Sequence, residues 1–178
     1  TCTAPTGLTA TYGDTLAEVN IAAADPVEGN TPGTWSWVDD TASVGDVGSK
    51  TFKANFAPTA TEDYASVTNI DVTVTVSAKT LGTADLTFEG LQTSYDWTGE
   101  AIQPEFILKY GEVTLTKNTD YTVAITDNTD EGEATITVSP VEGRNYSVNA
   151  TKTFQIVKQT PTIPTEVMNA IAAYTGTY

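Results

Sequence analysis

The chain has 178 residues with 8 Lys and Arg, 23 Asp and Glu and no histidine, which gives a formal net charge of −15. The lack of histidine and the single cysteine, Cys2, exclude His-dependent catalytic triads, His- or Cys-based zinc sites and an internal disulfide. Residues 1–78 hold 2 basic and 10 acidic side chains and residues 79–158 hold 6 and 12, so acidity belongs to the whole chain and disfavours nucleic acid as a partner.

The first predicted elements are short strands. After a linker-like start, the sequence predicts a strand at Leu8 to Tyr12 and a short strand or bulge at Leu16 to Ile21. Trp35 and Trp37 fall in a further strand, and their rings share one face because side chains alternate along a strand.

An imperfect internal repeat organises the rest of the chain. Alternating strands from Gly48 to Pro58 and from Asp71 to Val76 are echoed by Gly132 to Pro140 and Lys152 to Val157. Each copy has a turn glycine before its first strand and a proline after it, and a repeat of this kind indicates tandem units. The predicted domains are 1–78, 79–158 and a truncated third unit, 159–178.

The second domain is predicted to contain about seven strands at the spacing of a sandwich or small barrel. Gly111-Glu112 indicates a tight hairpin, and Asp127 to Gly132 indicates another turn. The junction from Ser77 to Thr80 is short and polar, which favours a semi-rigid pair of domains. The fold class expected is all-β, with two tandem small antiparallel β-sandwiches.

The tail from 159 to 178 echoes the start of the chain. Ala173-Tyr-Thr-Gly-Thr-Tyr178 is similar to Ala10-Thr-Tyr12-Gly13. Twenty residues cannot form a domain, so we expect this segment to be disordered or to add as a strand to another sheet edge. Linker-like sequence at both ends indicates a piece of a longer protein.

The phrases of both domains resemble repeats of bacterial cell-surface proteins of the Gram-positive type. In the first domain these phrases are Tyr12-Gly-Asp-Thr-Leu16, Gly33-Thr-Trp-Ser-Trp37, Val44-Gly45 and Asp63-Tyr64. In the second they are Tyr95 to Pro104, Lys109-Tyr-Gly111, Thr119-Asp-Tyr-Thr-Val123 and Asn145-Tyr146. The resemblance implies immunoglobulin-like or YGD-type β modules strung in series, with a β-grasp-like variant as the alternative for the first. It brings no catalytic residue to this sequence.

Tryptophan residues are the candidate ligand-binding positions. Trp35, Trp37 and Trp97 could stack on sugar rings, or they could pack in the core, with Phe52 and Phe56 beside the first two. The same alternatives apply to Tyr110. We expect Tyr64 and Tyr146 to hold loop corners through their hydroxyls, as in immunoglobulin-like domains, and the acidic loop from Asp127 to Gly132 to be a turn and not a calcium site.

The predicted function is structural. We expect a non-enzymatic spacer from a secreted or wall-anchored bacterial surface protein, without cofactor or metal, whose partners are neighbouring repeats of the same chain. The alternatives are an adhesion module that binds host glycan or protein, and an accessory region of a secreted carbohydrate-active enzyme. No apolar run approaches the roughly 18 residues of a membrane span, so membrane insertion is not expected.

Overall fold

The computed structural model describes residues 2–23, 31–158 and 165–175, and in these ranges the chain is mostly β. Thirteen strands and one short α-helix are present in this described part. No hydrogen-bonded strand pair there joins residues before Ala78 to residues after it. We therefore refer to residues 2–77 as the N-terminal half and to residues 79–157 as the C-terminal half.

The N-terminal half contains one four-stranded sheet. Its strands are β1 (Leu8–Thr11), β2 (Gly33–Trp37), β3 (Gly48–Pro58) and β4 (Val67–Ser77). Their spatial order is β1-β4-β3-β2. Threonine and valine alternate along β4, which buries Val72, Val74 and Val76 on one face and leaves the intervening threonines in solvent.

The C-terminal half contains nine strands. They are β5 (Lys79–Leu81), β6 (Thr87–Glu89), β7 (Ser94–Asp96), β8 (Ile107–Tyr110), β9 (Val113–Leu115), β10 (Tyr121–Thr126), β11 (Gly132–Pro140), β12 (Tyr146–Val148) and β13 (Ala150–Val157). Three sheets result, with the orders β10-β11-β13-β7, β12-β5 and β6-β8-β9. The predicted hairpin at Gly111-Glu112 is confirmed, because β8 and β9 pair antiparallel on either side of it.

The prediction of purely antiparallel sheets is wrong. β1 pairs with β4, β5 with β12 and β7 with β13, and all three pairs are parallel. Each of these pairs joins an early strand of its half to a late one, and such pairs need a long connection, which alternation within a strand does not reveal.

Two predicted elements take helical form instead. The segment Leu16 to Ile21 spans one 3₁₀ helix, Leu16–Glu18, and the start of a second, Ile21–Ala23. The Glu18 carboxylate accepts the Thr15 N–H at 2.8 Å. Leu16, Val19 and Ile21 are buried, a spacing that a strand would not produce.

In the tail, Thr165–Thr175 is an α-helix (α1) and not a strand. Alanine and methionine favour helix, and Glu166 lies in the first turn, where a negative charge is favourable. The rest of the predicted third unit lies outside the described residues. Within the described ranges, no helix has both the length and the apolarity needed to cross a membrane.

Candidate functional site

The junction between the halves brings together hydrogen bonds and aromatic contacts from both sides of the chain. β4 ends at Ser77 and β5 begins at Lys79, so Ala78 alone separates the last strand of one half from the first strand of the other. A one-residue connection leaves few conformations to the chain, and the contacts around it decide whether the halves are held together.

Asn145 ties both halves at this junction with three separate groups. Its side-chain Nδ2 donates to Asp46 Oδ1 at 2.8 Å, and its side-chain Oδ1 accepts the Val47 N–H at 3.0 Å. Its backbone carbonyl accepts the Lys79 N–H at 2.9 Å. The turn that contains Gly143, whose φ of 73° suits glycine, delivers Asn145 to this position immediately before β12. One residue therefore joins a loop of the N-terminal half, through its side chain, to the first strand of the C-terminal half, through its backbone carbonyl.

Three tyrosines extend the junction beside Asn145. The Tyr12 ring, from the N-terminal half, meets the Tyr146 ring edge-on with centroids 5.2 Å apart, and Tyr146 in turn lies 5.6 Å from Tyr110. The Lys79 ammonium lies 5.5 Å from the Tyr110 ring centroid. Edge-to-face aromatic pairs stabilise by about 0.5–1.5 kcal/mol beyond their burial. The row of rings therefore adds an apolar contact to the polar one.

The ionisation of this cluster reflects its packing. Burial raises the pKa of the Tyr146 hydroxyl, and the neighbouring Tyr12 and Tyr110 add to the effect. A hydrogen bond with Tyr110 raises the pKa of Lys79, which therefore keeps its charge. At neutral pH the Tyr146 hydroxyl is uncharged and the Lys79 ammonium is cationic, which suits the ring contacts of Tyr146 and the cation–π contact of Lys79.

A groove of about 370 Å³ runs beside the junction. Its lining includes Asp46, Asp120, Arg144 and Tyr146. Both carboxylates already serve the fold, because Asp46 accepts from Asn145 and Asp120 Oδ2 accepts the Thr116 N–H at 2.7 Å. In the described residues, no group of three or more His, Cys, Asp or Glu side chains is arranged to hold a metal ion.

Trp35 and Trp37 pack as the core alternative predicts. Trp35 lies 5.2 Å from Phe56, and Trp37 lies 6.2 Å from Phe52, between ring centroids. The Trp37 indole also donates its Nε1–H to the Val19 carbonyl at 3.0 Å. Both residues are half-buried on the same face of β2. Their predicted role in ligand binding stays a prediction.

Trp97 lies apart from the other two tryptophans, and the expectation that it packs in the core is wrong. It is 44 % exposed, and its ring covers Gly99, where an added Cβ would lie 3.7 Å from the indole. Its backbone N–H donates to the Val157 carbonyl at 2.8 Å, which extends the pairing of β7 with β13. Tyr110, by contrast, packs against the core. Trp97 is thus the one of the three predicted tryptophans that presents a large surface to solvent.

The two predicted corner tyrosines behave differently. Tyr64 is 52 % exposed, and the contact that fixes its loop is its backbone N–H donating to the Ala60 carbonyl at 3.1 Å. Tyr146 packs by its ring at the junction. The expected common role for their hydroxyls is therefore not seen.

The acidic loop after β10 is the turn that the sequence predicts. It joins β10 to β11, with Asp127 at a φ of 56°. Asn128 exchanges two hydrogen bonds with the backbone of Ile102, at 2.7 Å and 2.8 Å. The loop thereby fastens the segment after Trp97 to the sheet.

Asn145 is the residue whose role the sequence did not predict. Its partners Asp46 and Val47 lie nearly a hundred positions earlier in the chain, and the pairing is a product of tertiary packing. The only sequence signal was its place before Tyr146 in the repeat.

Comparison with known proteins identifies no relative. A scan against protein-family models, a search of curated proteins and a search of solved structures each find no match for this chain.

Proposed function

We propose that this chain is a non-catalytic spacer, formed by two tandem immunoglobulin-like β modules of a large bacterial secreted or wall-anchored surface protein. Its partners are neighbouring repeats of the same protein, and its role is to set reach and orientation without cofactor or metal. The observation that carries this proposal is the pair of side-chain hydrogen bonds by which Asn145, itself bonded to Lys79 at the start of β5, holds Asp46 and Val47 across a one-residue connection.

The junction contacts support a fixed angle between the modules. A hydrogen bond contributes about 1 kcal/mol net, and those of Asn145 act together with the Tyr12–Tyr146 ring contact. A flexible linker would need none of these contacts. A spacer needs them, because its length is useful only when bending is restricted.

The rigidity can be tested with spin labels on cysteines that replace Thr73 and Ala124, exposed residues of the two halves, in a Cys2→Ser background. We expect a narrow distribution of interspin distances in the parent chain. Asn145→Ala should broaden it, because both side-chain ties to the N-terminal half are lost.

Asn149→Ala is the matched control, since the bond of Asn149 to Leu81 comes from its backbone N–H and survives the substitution. It should leave the distance distribution unchanged. A broad distribution in the parent chain, or one that Asn145→Ala does not alter, would argue against a rigid spacer.

Adhesion to host glycan is a second candidate, and the exposure of Trp97 favours it. An exposed indole offers an apolar face to a sugar ring. The test is binding to a glycan and mucin panel with tryptophan fluorescence read in parallel. Saturable binding that Trp97→Ala abolishes and Trp35→Phe preserves would support adhesion; no binding to the panel would leave the spacer function alone.

A further inference from the structure

We propose that both halves are built to resist tension along the chain, because pulling on the two ends loads parallel strand pairs in shear. The inference rests on the proposed spacer function and adds a mechanical role to it. It derives from the direction in which the first and last strands of each half run relative to one another.

In the N-terminal half, the strands that carry the load are β1 and β4. They pair in parallel from Leu8↔Val74 to Thr11↔Ser77. Tension enters at the start of β1 and leaves at the end of β4, so the two strands are pulled in opposite directions along their own axes. Their hydrogen bonds lie across this direction and must fail together.

Two further hydrogen bonds extend the pairing of β1 with β4 at the carboxyl end of β4. The Tyr12 N–H donates to the Ser77 carbonyl at 2.8 Å, and the Ser77 hydroxyl donates to the Ala10 carbonyl at 3.0 Å. Both lie at the end of β4 where the load leaves. The ladder is thus continued to the last residue before the junction.

The C-terminal half repeats this arrangement with different strands. β5 receives the load, and it pairs in parallel with β12 from Lys79↔Tyr146 to Leu81↔Val148. Asn149 alone separates β12 from β13, through which the load leaves. The Lys79 and Asn149 N–H groups extend the pairing at either end, donating to Asn145 and Leu81. Tension therefore shears β5 against β12.

A second parallel pair supports the exit strand of this half. β13 pairs with β7 from Gln155↔Ser94 to Val157↔Asp96, and the Gln155 and Trp97 N–H groups bond to Thr93 and Val157 at 2.9 Å and 2.8 Å. Peeling β13 away from the fold first requires this pair to slide. In both halves, the first and the last strand therefore each belong to a parallel strand pair.

The test compares two pulling directions on the same fold by single-molecule force spectroscopy. End-to-end pulling uses handles at Cys2 and at a cysteine replacing Lys158. The reference direction opens an antiparallel hairpin from its free end, with handles at S49C and T75C for the N-terminal half and at T122C and S139C for the C-terminal half, in a Cys2→Ser background. These residues are cross-strand partners, so pulling separates one bonded rung at a time.

We expect two end-to-end unfolding events, each at a force at least about twofold above that of the matching hairpin direction, because the shear load is shared among several bonds. An end-to-end force at or below the hairpin force in either half would overturn the proposal for that half. The interspin distances test the rigid spacer independently. A narrow distance distribution together with low end-to-end unfolding forces would therefore refute the mechanical role and leave the spacer function in place.

Discussion

The two halves consist of similar strands, but their buried side chains form cores of different organisation. In the described residues of the C-terminal half, eleven buried side chains form one cluster that includes Phe154, Ile136 and Leu108. In the described residues of the N-terminal half the buried side chains form two smaller clusters, and Leu8 and Trp37 contact both. A single core spreads the loss of one contact over many neighbours, whereas a divided core depends on the few residues that join its parts.

The largest expected effect is at the centre of the single core. Phe154 is 1 % exposed and its ring meets Tyr95 at 5.2 Å. Phe154→Ala should lower the free energy of unfolding of the C-terminal half by roughly 3–5 kcal/mol, through lost burial and a cavity. Hydrogen exchange at increasing urea, read on peptides from each half, measures this. Thr153→Ala, on the exposed neighbour, should stay within about 0.5 kcal/mol; equal losses for both variants would contradict a core centred on Phe154.

The next effect concerns the residue that joins the two N-terminal clusters. Trp37→Phe removes the Nε1–H bond to Val19 and part of the ring that touches both clusters. We expect the N-terminal half to lose roughly 1–2 kcal/mol of unfolding free energy. Trp35→Phe, which changes a ring that contacts only one cluster, should cost less in the same urea experiment. A larger loss for Trp35→Phe than for Trp37→Phe would mean that Trp37 does not connect the two clusters.

A smaller effect, a loss of stability at high pH, is expected in the C-terminal half. Burial, and secondarily Asp120, raises the pKa of Tyr121 above its ordinary 10.0. The folded state therefore favours the neutral phenol, and this stability is present below pH 10 and is lost as the pH rises through the folded-state pKa. Lys109 and Lys158, whose pKa values are raised by hydrogen bonds with Glu89 and Glu131, act in the same direction.

We accordingly expect the urea midpoint of the C-terminal half to fall above pH 10. Tyr121→Phe should weaken that dependence, because phenylalanine cannot ionise. Titration of the midpoint between pH 8 and pH 11 measures the change. A slope identical in the parent and in Tyr121→Phe would show that Tyr121 ionises equally well in the folded and unfolded states.

The smallest effect is expected at an exposed ion pair. Lys53 Nζ lies 2.6 Å from Asp71 Oδ1 across β3 and β4, and both side chains are more than half exposed. Asp71→Asn should change the unfolding free energy of the N-terminal half by no more than about 0.5 kcal/mol. A loss comparable to that of Trp37→Phe, in urea melts at low salt, would show that surface pairing and not packing unites this half.

The sequence predicted the strands that its side-chain pattern encodes. Alternation locates β3 and β11 correctly, because one face of each strand is buried and the other is solvated; it also finds β4, although β4 begins at Val67, four residues before the predicted start at Asp71. The turn at Gly111-Glu112 also follows from local chemistry. The packing of Trp35 and Trp37 beside phenylalanines is the arrangement that the core alternative predicts, while their role in ligand binding stays a prediction.

What the sequence could not predict depends on distant neighbours. The parallel partner of β1 lies 66 positions along the chain, at the Leu8↔Val74 pair, and nothing in either strand specifies that pairing. Asn145 is an ordinary turn residue until the N-terminal half supplies Asp46 and Val47.

The position of β1 also has a consequence for the order in which the molecule is assembled. Its strand partner is β4, so the N-terminal sheet stays incomplete until the chain has been made or exported as far as Ser77. Contacts this distant in sequence form slowly, while the β3–β4 hairpin can form earlier from local residues. Asn145 follows later still in the chain, so its hydrogen bond with the Val47 N–H forms after the N-terminal sheet can be complete. A chain emerging from its amino end would therefore be able to complete its N-terminal sheet first, and the hydrogen bonds of Asn145 across the junction would form last.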